Sequence, residues 1–147
     1  MDKDISILDK LGVDVGFKVT HTKTITEEDL MLFARVTEDL HPVHVDEEYA
    51  KKTLFGGRIV HGILVVGLIS AAVAKLPGTT ILLSQSARFL EPVRIGDTIT
   101  AVAEVTETRK DKGIVTLKDT CINQNGVVVV QGETILRFHD EPAQSPT

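Results

Sequence analysis

Residues 59–75, IVHGILVVGLISAAVAK, are apolar on nearly every side of any helix they form. Small residues at Gly62, Gly67, Ser70, Ala71, Ala72 and Ala74 keep that helix narrow. A helix that is apolar all round is buried on several sides. Gly67 and Lys75 interrupt the run, which falls short of the roughly 20 residues a membrane span needs. Other parts of the chain must therefore wrap it. Pro77-Gly78 ends the helix, and four runs with strand character follow, at 81–90, 98–108, 114–122 and 127–138. Asn125-Gly126 is a hairpin turn between the last two, and Asp111-Lys112-Gly113 joins the preceding pair. An antiparallel meander beside one apolar helix predicts an α+β fold with the sheet curled around that helix. Such a sheet leaves edge strands unpaired, which a second copy of the chain would cover.

The N-terminal half reads as the frame for an irregular loop. Residues 13–24 show alternation at Phe17 and Val19 and predict a first strand. Thr26 can cap a helix whose first turn carries Glu27, Glu28 and Asp29, where the helix dipole favours negative charge. Leu30, Phe33 and Ala34 give that helix one buried face, ending near Thr37. Asp46 caps a second, short helix through Glu47, Tyr49 and Ala50 that stops before Gly56-Gly57. Between them lies TEDLHPVH, residues 37–44, where Pro42 biases His41 away from helix and predicts a rigid loop.

Composition narrows the function classes. A chain of 147 residues with 42% hydrophobic content fits one domain, expected over residues 1–139, with DEPAQSPT at 140–147 as a disordered tail. Sixteen Lys and Arg against twenty-one Asp and Glu leave a net charge of −5, which argues against nucleic acid. It does not oppose a small anionic ligand such as coenzyme A, whose phosphates a few local donors can hold. The lone Cys121 makes no internal disulfide, and MDKDISILDKLG lacks an export signal, so a cytoplasmic protein without a membrane partner is expected. Ser70 and Ser84 have no GxSxG setting, and Gly56-Gly57 has no phosphate-loop continuation. Cys121 reads as core.

Asp39 and His44 are the residues through which chemistry enters. Across a loop containing Pro42 both side chains can point into one cleft. A histidine titrates near neutral pH and a carboxylate beside it can hold a water for deprotonation. The alternative is that Asp39 caps a turn and His44 packs beside Pro42. His41, His44 and His61, with Asp39 and Asp46, are the residue types of a zinc or iron site, but no established metal spacing is present and none is expected to bind. His61 reads as a structural residue at the start of the apolar helix. Gly62 in its first turn offers a backbone N–H to an oxyanion or, equally, allows close packing of helix on sheet.

The segment Glu38-Asp39-Leu40-His41-Pro42-Val43-His44-Val45-Asp46, followed by Ile59-Val60-His61-Gly62, resembles the MaoC-like R-specific enoyl-CoA hydratases, whose pattern is close to D-x-N-P-x-H. RFLEPVRIGD at 88–97 is similar to that family's strand-and-turn segment, and the resemblance runs from about Gly16 to Phe138. It implies a hot-dog fold, usually dimeric, and reversible syn hydration of a trans-2-enoyl thioester to the R-3-hydroxyacyl thioester. Asp39 and His44 would activate the water and Gly62 would supply the oxyanion N–H. No metal or redox cofactor is implied, coenzyme A being part of the substrate. Ser70 and Ile63 fall where the family lines its acyl pocket. His41 stands in place of the usual asparagine, where it would orient substrate or tune Asp39. Arg88, Arg94, Lys51 and Arg58 are candidates for phosphate contacts by charge. An acyl-carrier-protein dehydratase, a thioesterase and a non-catalytic acyl-thioester binding module are the competing readings.

Overall fold

In the computed structural model, which describes residues 5–140, five antiparallel strands form one sheet in the order β1-β3-β4-β5-β2. They are β1 (Lys18–Thr24), β2 (Thr79–Phe89), β3 (Thr98–Arg109), β4 (Ile114–Ile122) and β5 (Val128–His139). The four runs expected to be strands are strands, and the fold is α+β. Their alternation explains the core: Ile99, Ala101, Ala103 and Val105 of β3 are buried, as are Val115, Leu117 and Cys121 of β4. This face packs on helix α5 (Gly62–Val73), chiefly through β1 and β3, and Val65, Leu68, Ile69 and Ala72 are the helix residues it covers. The residues expected to form a tail, from 141 onward, lie outside those described.

Three expectations are corrected. The first strand is shorter than residues 13–24, because Gly16 turns the chain at a positive φ of 93° and Val13 serves the core instead. Ahead of it stands an unanticipated one-turn helix, α1 (Ile7–Leu11), capped by Ser6. Residues 37–44 are not wholly irregular. After α2 (Glu27–Thr37), Pro42 opens α3 (Pro42–Val45), because its fixed φ suits the first helical position and its missing N–H is not needed there. Asp46 then caps α4 (Glu47–Lys51).

Helix α5 is also less enclosed than its composition implies. Ile63, Gly67, Ser70 and Ala74, spaced by four, three and four, form an exposed stripe, with Ile63 62% accessible. Alongside runs edge strand β2, where Leu82, Leu83 and Phe89 are about half exposed. Helix stripe and strand edge are the two banks of one groove. The depth of β2 against β5 is set by Gly132, opposite Ala87: any Cβ at this position would collide with the carbonyl oxygen of Ser86.

Candidate active site

The loop that carries Asp39 is aimed by local chemistry. Thr26 and Asp29 complete a reciprocal capping box that starts α2. At its other end Glu38 adopts a left-handed φ of 62°, which turns the chain sharply. The Asp39 N–H then donates to Thr37 Oγ1 (3.2 Å), and Asp39 Oδ1 accepts from the His41 N–H (3.3 Å). The carboxylate therefore caps a turn and lies within reach of His44 and His61. His41 is the N-cap of α3, its Nδ1 accepting from the Val43 N–H at 3.1 Å. An asparagine oxygen would do the same work at this position.

His44 sits one turn on, half-buried, with Nδ1 2.8 Å from the Ile59 carbonyl. A carbonyl only accepts, so Nδ1 carries the hydrogen and Nε2 keeps a free lone pair. Burial pushes the imidazole pKa below its ordinary value; the hydrogen bond to Ile59 and the charge of Asp39 oppose that shift, while His61 and His41 add to it. On balance the neutral form of the ring is favoured relative to a free imidazole. Its backbone is fixed as well: Arg58 Nε donates to the His44 carbonyl at 2.6 Å while the same guanidinium pairs with Glu27 at 2.6 Å.

His61, expected to be structural and to hydrogen-bond a carbonyl or cap α5, does bond a carbonyl, does not cap the helix, and in addition stacks on His44. It is 2% exposed, lies on the His44 ring and touches Phe33 on its other side. Its Nε2 donates to the Asp39 carbonyl at 3.0 Å and approaches Asp39 Oδ2 at 4.0 Å. One ligand atom from each of Asp39, His44 and His61 falls within 4.8 Å of the others. Stacked rings direct their in-plane lone pairs side by side, a poor match to the convergent tetrahedral geometry of zinc. His41 and Asp46 do not join the cluster, because each is spent on a helix cap.

The N-terminus of α5 completes the site. The first N–H groups of a helix have no intrahelical acceptor, and the His61 side chain does not cap them. A Cβ on Gly62 would lie 2.6 Å from the Phe89 ring, so glycine is needed for close packing and leaves its N–H approachable. His44, Gly62, Ile63 and Phe89 line a cavity of about 480 Å³ whose walls are otherwise mostly apolar, among them Ile59, Val65, Leu90 and Val130. Ser70 lines a neighbouring cavity instead. Arg88 is on the outer face of the sheet with Lys118 and Gln131, so within one chain it does not reach the His44 cavity. Arg58 is committed to Glu27 and the His44 carbonyl, and Lys51 pairs with Glu48. The Cys121 thiol is pushed up to about 12, chiefly by burial, and stays core.

The model of the MaoC like domain matches residues 12–125. An (R)-specific enoyl-CoA hydratase of Rhodospirillum rubrum is 46% identical over 120 residues, covering 80% of this chain and 83% of its own. A 3-hydroxyacyl-[acyl-carrier-protein] dehydratase of Arabidopsis thaliana mitochondria is 36% identical, with 97% and 89% covered. Among solved structures, the (R)-hydratase of Aeromonas caviae superposes with a TM-score of 0.82 at 38% identity, covering 86% of this chain and 98% of that one. The architecture is the hot-dog fold of these hydratases.

Proposed function

The chain belongs to the MaoC-like domain family, and from that premise we propose that it hydrates trans-2-enoyl thioesters reversibly to (R)-3-hydroxyacyl thioesters. The observation that carries the reading is His44, its Nδ1 bound to the Ile59 carbonyl so that Nε2 is left open, set beside the Asp39 carboxylate on the cavity that Gly62 lines. A thioester carbonyl over the first turn of α5 receives the Gly62 N–H. Asp39 and His44 hold a water; Nε2 takes its proton as the oxygen bonds to C3, and charge moves to the thioester oxygen. The enolate collapses when the proton is returned to C2 from the same side, so addition is syn. Water is the only co-reactant, and the steps draw on side chains and backbone alone.

Coenzyme A is the proposed carrier, and the acyl-carrier-protein form is the alternative, favoured by the plant relative. Residues up to 139 act as one domain. We take the active form to be a homodimer, because the open α5 stripe and the edge strand β2 leave Ile63, Leu82 and Phe89 exposed on the helix side of the sheet, and Ile81 and Leu83 exposed beside them. No described helix is long and apolar enough to cross a membrane, and a cytoplasmic setting suits a free, buried Cys121.

The test is the enoyl absorbance of crotonyl-CoA. It falls with the wild-type protein and persists with Asp39→Asn and His44→Ala. A wild type as inert as both variants, while still binding the thioester, sinks the enzyme reading. Release of free thiol would instead mark a thioesterase.

A further inference from the structure

Residues 59–62 gather three parts of the site into one short stretch of chain. The Ile59 carbonyl accepts from His44 Nδ1 at 2.8 Å, and the Ile59 N–H donates to the Val43 carbonyl at 3.2 Å. Two positions on, His61 Nε2 donates to the Asp39 carbonyl at 3.0 Å, across 22 positions of sequence. The next peptide carries the Gly62 N–H. The His61 carbonyl accepts from the N–H groups of Leu64 at 3.1 Å and Val65 at 3.4 Å, so the residue that holds Asp39 is also the first fixed point of α5.

Packing alone does not account for a histidine here. The ring is held between Phe33, with centroids 4.8 Å apart, and His44, at 3.8 Å. Its second nitrogen, Nδ1, is buried with no hydrogen-bond partner among the described residues. An unpaired buried nitrogen costs stability that a phenylalanine of similar shape would not. What a phenylalanine lacks is the N–H to Asp39. The other hydrogen bonds of Asp39 are local, to Thr37 Oγ1 and from the His41 N–H, and its side chain is half exposed. They fix the shape of the turn but not its place against α5. Among the described residues, His61 alone ties Asp39 by a hydrogen bond to a distant part of the chain.

We propose that His61 is a positioning residue of the hydration reaction, holding Asp39 and the His44 ring at a fixed offset from the Gly62 N–H. The acid–base pair and the oxyanion donor come from separate segments, and the reaction needs both at once. Water must stand over C3 while the thioester oxygen rests on the N–H that collects its charge. Without the His61 bond all three groups are still present, but the α2–α3 turn is free to move against α5. This rests on the hydration reading above.

The experiment is steady-state hydration of crotonyl-CoA by the full chain, taken on the plateau of the pH profile and accompanied by thermal melts, with two variants. His61→Phe keeps the ring contacts with Phe33 and His44 and loses the donor. His61→Gln loses the stack and keeps an amide N–H at about the reach of Nε2. For His61→Phe, kcat is expected about 10- to 100-fold below wild type, with KM within about twofold and the melting temperature no lower. His61→Gln should recover about tenfold in kcat despite its poorer packing. A residue that served packing alone would give the reverse order, with phenylalanine close to wild type and glutamine impaired in step with its melting temperature. A His61→Phe protein with wild-type kcat, or a folded His61→Gln protein no more active than His61→Phe, overturns the assignment. Should the glutamine variant not fold, His61→Phe decides alone: a loss of kcat at wild-type stability supports the assignment, and a loss that follows the melting temperature down overturns it. A wild type inert toward crotonyl-CoA overturns the hydration reading, and the assignment with it.

Discussion

His44 and His61 stack face to face, with ring centroids 3.8 Å apart and 25° between their planes. A positive charge on either ring disfavours one on the other, and His61 is among the groups that lower the His44 pKa. In the proposed mechanism His44 acts as a base only when neutral, so a lowered pKa extends activity toward acid relative to an ordinary imidazole. His61→Phe keeps the ring packing and removes the like charge. The acid limb of the kcat/KM profile should then move to higher pH, together with the His44 midpoint followed by NMR. An unmoved limb would show that the stack is only packing.

His41 caps α3 through Nδ1 and lies 6.2 Å from the His44 ring centroid to centroid. His41→Ala removes the cap and should cost about 1 kcal/mol in a denaturant melt. His41→Asn keeps an acceptor and should cost little. His41 also contributes to lowering the His44 pKa, so the asparagine variant should shift its acid limb upward. Identical profiles for wild type and His41→Asn would exclude this tuning.

Arg58 ties the backbone of His44 to α2 through Glu27, and its side chain is only 12% exposed. Arg58→Ala should lower kcat by about 10- to 100-fold, because misplacement of the base is costly even when its chemistry is intact. Arg58→Lys should rescue little, since a single ammonium cannot serve the carbonyl and the carboxylate in the same fork. Glu27→Gln should have a small effect, its side chain being 66% exposed. The comparison of kcat with KM across the three variants checks the argument.

Asp119 is buried, and its pKa is raised above the usual carboxylate value, chiefly by desolvation, with the Thr134 and Gln85 hydrogen bonds opposing. The folded state therefore binds the proton more tightly than the unfolded chain. Stability is lost as pH rises from the ordinary carboxylate range through the folded pKa, and the full cost remains above it. Asp119→Asn should stabilise the protein at neutral pH and gain less in acid. Thermal melts at several pH values read this directly; an equal shift at every pH would place the carboxyl in water.

Much of this architecture is legible in the residues. Strand β4 occupies the expected 114–122, because Val115, Leu117 and Cys121 alternate cleanly and glycine turns bound it. The cap at Thr26 is equally local. Asp39 and His44 are close in sequence, and a family resemblance singles them out. What could not be read is what distant segments create together. His61 enters the site only because α5 is docked under the α2–α3 turn, and its one visible signal was a histidine immediately before a helix-opening glycine. The Gln85–Asp119–Thr134 cluster needs three strands in register, and Asp119 looks like any surface aspartate in a strand until β5 and β2 are paired. Arg88 shows the converse: charge alone suggested a contact, and strand alternation turned it to the other face.

Gly132 has no side chain and touches no substrate, yet it holds β2 at the distance from β5 that places both Phe89 and Gln85. A methyl group added there has no soft neighbour to displace, only the backbone of Ser86 and Ala87. Random mutagenesis scored by activity should find this position as intolerant as the acid and base themselves. Losses there would come with a lowered melting temperature, the mark of a shifted strand rather than of lost chemistry.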